Sequence, residues 1–426
     1  PEDLVARGWL TAAETDKYRQ TANGTCNLKH AARSRQKMLD RAYQVFQQNA
    51  DEGEQAAYRT FRESEAYWLE DFALYEALKT EHKGKPWYEW PAPYKFREGK
   101  AIRAFKDKFA DAIDRSKWAQ YLFLKQWTEL ESYINKLGIQ AIGDLPFYVS
   151  YDSADVWANP ELFKLGKNSQ TMAIAGVPPD YFSASGQLWG MPVYNWQAHE
   201  RTGYQWWVSR LRKNLQFFDL LRLDHFRAFY DFWEVPGGEK TAINGSWQPG
   251  PGAALIRAFD PHLKDLPFIA EDLGDISDGV YLLRDELQLP GMNVLQYAFG
   301  KDMPVTVHAP HNHKNHSLTY TGTHDNNTAT GWFRQDASKE ARKNLEDYAL
   351  RKVNESNVHE VMLDLCYRSP ADIAMAPMQD ILGLDGGHRM NTPSFRKDNW
   401  LWRMKEGQLK AAPAMSLAKL AKYYNR

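Results

Sequence analysis

The chain has 426 residues, enough for two or three domains or for one barrel with insertions. Its 53 lysines and arginines balance 54 aspartates and glutamates, so a formal charge of −1 gives no electrostatic pull toward nucleic acid or an anionic membrane. No apolar run approaches the ~18 residues that span a bilayer, and Cys26 and Cys366 are too few for a disulfide framework or a cysteine metal site.

Residues 1–136 read as a mainly helical insertion subdomain. Gln55 to Lys79 and Ala101 to Leu137 carry apolar residues close to a 3.6 period. Between them the prolines of Gly84–Pro93 leave a loop. Residues 137–426 read as the catalytic part, with strands expected near 139, 220, 268, 292, 317 and 373. Helices are expected at Tyr204–Phe218, Ala253–Phe259, Val280–Leu287 and, with breaks, Lys339–Leu365. Alternation of strands and helices indicates an α/β fold with a parallel sheet. An aromatic-rich insertion at about 150–200 shows no clear period and reads as a long irregular segment of functional use. The chain begins with Pro1, so it reads as processed or as a fragment.

Several of the expected strands end in an acid: Asp144, Asp224, Glu271 and, beyond a short turn, Asp325. In α/β barrels the catalytic groups project from the C-terminal ends of parallel strands. A pair of carboxylates supported by a third acid is the equipment of retaining glycoside chemistry. Arg222 and Asp224 lie two apart on one strand and face the same side, so the guanidinium favours an ionised Asp224, as a nucleophile needs. The same pair also reads as a structural ion pair. Glu271 follows Phe-Ile-Ala, an apolar wall that raises a carboxyl pKa and suits a general acid; Glu271 and Asp272 also read as helix-capping acids, Asp272 the better of the two. His324 and Asp325 can hold sugar hydroxyls, or Asp325 can simply order the turn Asn326-Asn327-Thr328. Gly143, beside Asp144, leaves room for a ligand or a neighbouring backbone. His308, His311, His313 and His316 match no strong zinc spacing and read as a polar loop, with no metal expected. An aromatic share of 14 %, with 16 Trp and 22 Tyr, suits sugar stacking and equally suits a large core.

Arg222-Leu-Asp224-His225-Phe226-Arg227, Glu271-Asp272-Leu-Gly274 and Thr323-His324-Asp325-Asn326 resemble signatures of the 4-α-glucanotransferases, the amylomaltase or disproportionating enzymes. So do Gly143-Asp144-Leu-Pro146, Ala175-Gly-Val-Pro-Pro-Asp-Tyr-Phe182, Gly186-Gln187-Leu-Trp189-Gly190, Pro377-Met-Gln-Asp380 and Arg389-Met-Asn-Thr-Pro393. Ala228 and Ser394 stand where the family usually has glycine. The resemblance implies a (β/α)8 barrel with helical and loop insertions, here lacking its first two strands. It implies Asp224 as nucleophile, Glu271 as acid/base and Asp325 as transition-state stabiliser. Arg222 and His324 would bind the sugar at the cleavage point, and Asp144, Gln187 and Trp189 would line the glucan groove. It implies α-1,4-glucan donors and acceptors, glucose among them, with no cofactor and no metal, and neither nucleic acid nor membrane as partner. Other readings are an α-glucan hydrolase and a non-catalytic glucan-binding fragment. Cytoplasm is the expected compartment, or a plastid once a transit peptide is removed.

Overall fold

The computed structural model describes residues 1–19, 24–179, 183–393, 395, 397–409 and 411–426. Its strands are β1 (Ile142–Leu145), β2 (Ala173–Val177), β3 (Gln187–Pro192), β4 (Leu220–Leu223), β5 (Asp231–Pro236), β6 (Ser246–Pro249), β7 (Phe268–Ala270), β8 (Gly291–Val294), β9 (Ser317–Tyr320) and β10 (Ile373–Met375). The chain divides into two compact units. The first comprises Pro1–Tyr18, Ser34–Phe268 and Ile276–Gln288; the second comprises Arg19–Arg33, Ile269–Asp275 and Leu289–Arg426.

In the first unit the helices Glu52–Ser64, Ala66–Glu81, Gly99–Lys108 and Ala110–Lys136 occupy the two stretches of helical period. Each stretch is broken once. At the first break stands Glu65, a 6 % exposed carboxylate that accepts from Lys213 Nζ at 2.8 Å and from the Trp68 indole. Buried carboxylates are tolerated when paired in this way. Trp118 is fully buried and meets the rings of Trp9, Tyr43 and Phe46 at 5.5–5.7 Å. Such tilted aromatic contacts add to plain area burial.

The same unit holds the parallel pair β1 and β4, with Asp144 directly opposite Arg222. Pro267, at the entrance to β7, accepts from Leu221 N–H at 2.8 Å. The second unit holds β8, β9 and β10 in parallel, in the order β10-β9-β8. Every residue of β8 and β9 is buried, as expected of parallel strands covered on both faces. Helices Lys339–Ala349 and Val358–Arg368 place Leu345, Val358, Met362 and Leu365 in one buried cluster, and Cys366 Sγ on the second of them donates to Thr319 O of β9 at 3.4 Å. All six expected strands are present, within a few residues of their expected starts, five of them paired in parallel.

The 150–200 segment departs from expectation. It contains β2 and β3, which join β5 and β6 in an antiparallel sheet of order β3-β2-β5-β6. Two local features hid these strands. β2 is Ala-Ile-Ala-Gly-Val, and a Cβ on Gly176 would lie 2.3 Å from Gln187 O, so close strand approach there demands glycine. β3 is half-exposed along nearly its whole length, so no in–out alternation marks it. Asp180, Tyr181, Phe182 and Ser394 lie outside the described residues.

Candidate active site

The first unit gathers Asp144, Arg222 and Asp224 at the end of the β1–β4 pair. Arg222 Nη1 donates to Asp144 Oδ1 at 2.6 Å and to Asp224 Oδ1 at 2.8 Å. The arginine side chain is 10 % exposed and both carboxylates are 42 % exposed, so the cation forms the floor and the acids face outward. The register explains the geometry. Asp144 is the cross-strand partner of Arg222, and Asp224 is two residues further on the same face. Asp224 N–H donates to Leu145 O at 3.0 Å, which ties the acid's own backbone to β1. Arg227 instead forks onto Asp231, at 2.8 and 3.2 Å, and stacks on Trp247 at 3.8 Å.

His225 follows with φ of 51°, a left-handed conformation that a non-glycine residue adopts at a cost. Its ring meets the Trp189 ring edge-on at 4.9 Å. Trp189 Nε1 donates to Gln187 Oε1 at 3.3 Å, so the two groove candidates form one pair, with Trp189 against His225. Burial pushes the His225 imidazole down to about 4; Asp224 opposes the shift and Arg227 adds to it. The room beside Gly143 is taken by the Phe218 ring, 2.3 Å from where a Cβ would stand, and not by a ligand or a backbone.

In the second unit Glu271 follows the wholly buried β7. Ala270 N–H donates to Pro290 O at 2.9 Å, and Met292 N–H donates to Asp272 Oδ1 at 2.8 Å. Asp272, 6 % exposed, thus stitches the strand end to β8, and Glu271 projects from a peptide pinned on both sides. Neither acid caps a helix: the next one begins at Asp278 with Ser277 as its N-cap.

Asp325 lies past β9 on a turn held at many points. Its Oδ1 accepts from Asn391 Nδ2 at 2.5 Å, its carbonyl accepts from Arg389 Nη2, and its N–H donates to Thr323 Oγ1 at 3.2 Å. His324 Nε2 lies 3.6 Å from Asp325 Oδ2, and the His324 ring faces Trp400 at 5.3 Å. The side chain that accepts within the turn is that of Asn326, whose Oδ1 accepts from Thr323 N–H and Oγ1 at 2.8 and 2.9 Å; the ordering expected of Asp325 thus falls to its neighbour. Asn326 Nδ2 also donates to Tyr297 Oη at 2.9 Å. The Tyr297 phenol is raised above its usual pKa by burial, with the Asn326 bond opposing and the negative charges of Asp325 and Glu271 adding to it. Both acids therefore act on one phenol.

A profile of the 4-alpha-glucanotransferase family matches residues 1–410. The chain belongs to this family. The 4-alpha-glucanotransferase of Aquifex aeolicus is 44 % identical over 373 residues, covering 85 % of this chain and 76 % of that protein. That of Synechocystis is 39 % identical over 426 residues, 99 % of this chain and 84 % of that one. Among solved structures, the amylomaltase of Streptococcus agalactiae in complex with acarbose superposes with a TM-score of 0.95 at 36 % identity, over 100 % of this chain and 85 % of that one. The chain is thus an α/β enzyme of the 4-alpha-glucanotransferase kind.

Several residues of this candidate site carry no signal of their own in the sequence. Asn391, Arg389 and Asp380 sit inside recognisable motifs, yet nothing local assigns them a partner 50 to 70 residues away. Tyr297 and Trp400 stand in stretches without any motif. The histidine cluster is structural. His313 bridges Ser369 Oγ at 2.7 Å and His308 O at 2.9 Å, while His308 Nδ1 accepts from Val294 N–H at 3.3 Å. Burial pushes His308 and His313 down to about 4, which keeps both neutral. Among the described residues no group of three or more His, Cys, Asp or Glu is arranged to hold a metal ion, and no helix is long and apolar enough to cross a membrane.

Proposed function

We propose that the chain transfers α-1,4-glucan segments between maltooligosaccharides, or starch- and glycogen-type glucans, by a retaining double displacement. Asp224 is the nucleophile, Glu271 the general acid and base, and Asp325 the stabiliser of the oxocarbenium-like transition state. Asp224 attacks the anomeric carbon while Glu271 gives its proton to the departing glycosidic oxygen. The glucosyl–enzyme then passes to the 4-hydroxyl of an acceptor glucan or glucose, whose proton Glu271 takes up. Two inversions leave the α configuration unchanged.

The observation that carries this assignment is the Arg222 guanidinium against Asp224 at a strand end. A permanent cation at 2.8 Å orients the carboxylate by a charge-assisted hydrogen bond. Asp325, braced by Asn391 and beside His324, suits hydrogen bonds to sugar hydroxyls that strengthen as the ring flattens. Asp144 and the Gln187–Trp189 pair fit the groove walls, where a flat indole can meet a sugar face. The six parallel strands are read as staves of a (β/α)8 barrel, residues 1–136 as its helical insertion subdomain and 137–426 as its catalytic part. Retention of configuration requires nucleophile and acid/base carboxyls ~5–5.5 Å apart. Two free thiols, Cys26 and Cys366, favour a reducing compartment: the cytoplasm, or a plastid in a plant setting.

Incubation with maltotriose tests the reading. Chains longer than three glucoses, formed with glucose, are the expected products. Glucose and maltose alone would identify a hydrolase. No turnover, unchanged by Asp224→Ala, would identify a non-catalytic glucan-binding protein.

A further inference from the structure

Asp325 stands five residues beyond β9, on a turn of seven residues from Gly322 to Thr328. What fixes the two ends of that turn is a single carboxylate. Asp380, 1 % exposed, follows β10 in the short helix Met378–Ile381. Its Oδ2 accepts from Thr321 Oγ1 at 2.6 Å, and its Oδ1 accepts from Ala329 N–H at 2.7 Å. Thr321 is the residue before the turn, and Ala329 is the residue after it. Thr321 N–H also donates to Met375 O at 3.2 Å, which ties the entrance of the turn to β10 itself. Inside the turn, Gln296 Nε2 donates to Asn327 O at 2.7 Å, so the span between the clamped ends has little freedom.

Stability alone argues against a carboxylate here. Burial pushes its carboxyl up to about 6, the sign of a charge that the site holds at a cost. Enclosed polar networks of this kind do better as rigidifying devices than as sources of net stability. A carboxylate has two oxygens that accept at once, and the geometry uses one for each end of the turn.

We propose that Asp380 is a positioning residue for Asp325: by holding Thr321 and Ala329 together it fixes the turn that presents His324 and Asp325 to the sugar. The proposal rests on the role given to Asp325 above. Placement errors near 1 Å cost about a hundredfold in rate.

The test uses the full chain, maltotriose disproportionation and thermal unfolding. Thr321→Val removes one bond with little change of shape; it is expected to lower kcat about tenfold with KM within about twofold, and Thr321→Ser is expected to restore the rate. Asp380→Leu removes both bonds and is expected to lower kcat about a hundredfold, while Asp380→Asn, which keeps an acceptor for Ala329 and a partner for the Thr321 hydroxyl, retains most of it. If Asp380→Leu does not fold, the Thr321 pair decides. Thr321→Val with kcat within about twofold of the parent, beside an Asp325→Asn variant slowed at least about a hundredfold, overturns the proposal. So does an equal loss in the Val and Ser variants that follows their melting temperatures. An Asp325→Asn variant with unchanged rate overturns the assignment of Asp325, and this proposal with it.

Discussion

The two units hold their acids in different ways. In the first, Asp224 is the residue after β4, and a buried guanidinium on that same strand holds it, shared with Asp144 across the sheet. In the second, Asp325 is five residues past β9. Its side chain is held by a neutral amide, and the turn that carries it is braced by hydroxyls, backbone carbonyls and Asp380. An acid at a strand end inherits the rigidity of the sheet and needs only a charge partner. An acid on a turn has no such support, so several hydrogen bonds must replace it. Glu271 belongs with the first kind by position: it follows β7 directly, and Asp272 stitches that strand end to Met292.

The largest effects test whether the acids differ as assigned. Asp224→Asn and Glu271→Gln are each expected to lower the rate on maltotriose at least about 10⁴-fold without loss of fold, as members of a unit that acts together. Asp325→Asn is expected to cost about 10²–10³, the scale of a lost electrostatic stabiliser; a loss equal to that of Asp224→Asn would erase the distinction. Next come the supports. Asn391→Asp sets a second carboxylate against Asp325 Oδ1, where the amide now stands 2.5 Å away. Like charges so close cannot both ionise, so the acid limb of the pH–rate profile is expected to move upward. Arg222→Lys keeps the charge and loses the planar fork, with a fall in kcat of about tenfold expected; kcat within about twofold of the parent would show that charge, and not the geometry of the guanidinium, is what the first unit needs.

A smaller effect concerns stability against pH. His199 and His225 in the first unit, and His308 and His313 in the second, are pushed down to about 4 by burial. Their ordinary value is near 6.5, so the unfolded chain takes up protons first as pH falls. The stability these groups contribute is complete above about 6.5 and is lost progressively toward about 4. Asp380 has the opposite sign. Its folded value of about 6 lies above its ordinary 3.8, so it makes the folded state less stable as pH rises through that window. Melting temperature is therefore expected to fall on acidification, and Asp380→Asn, by removing the opposing group, is expected to steepen that fall. The smallest effect is expected from Trp189→Ala, which removes the ring against His225: a rise in KM of a few-fold with kcat nearly unchanged, measured with maltotriose.

Much of this was legible in the amino-acid order alone. Strands buried on both faces, such as β7, appear as short apolar runs, and the change to Glu271 marks where that run leaves the core. The pairing of Arg222 with Asp224 follows from the two-residue period of a strand, and the family signatures followed from the same segments. Tertiary structure alone decided the rest. β2 and β3 were hidden because small residues and half-exposed faces leave no period to read. The bond of Asp144 to Arg222 needed the register of two strands separated by 78 residues, and those of Asn391 to Asp325 and Asp380 to Thr321 join positions 66 and 59 apart. Local order encodes the period of a strand and the point where it leaves the core; which distant donor meets which acceptor is set by how strands and turns pack, and no local pattern carries that information.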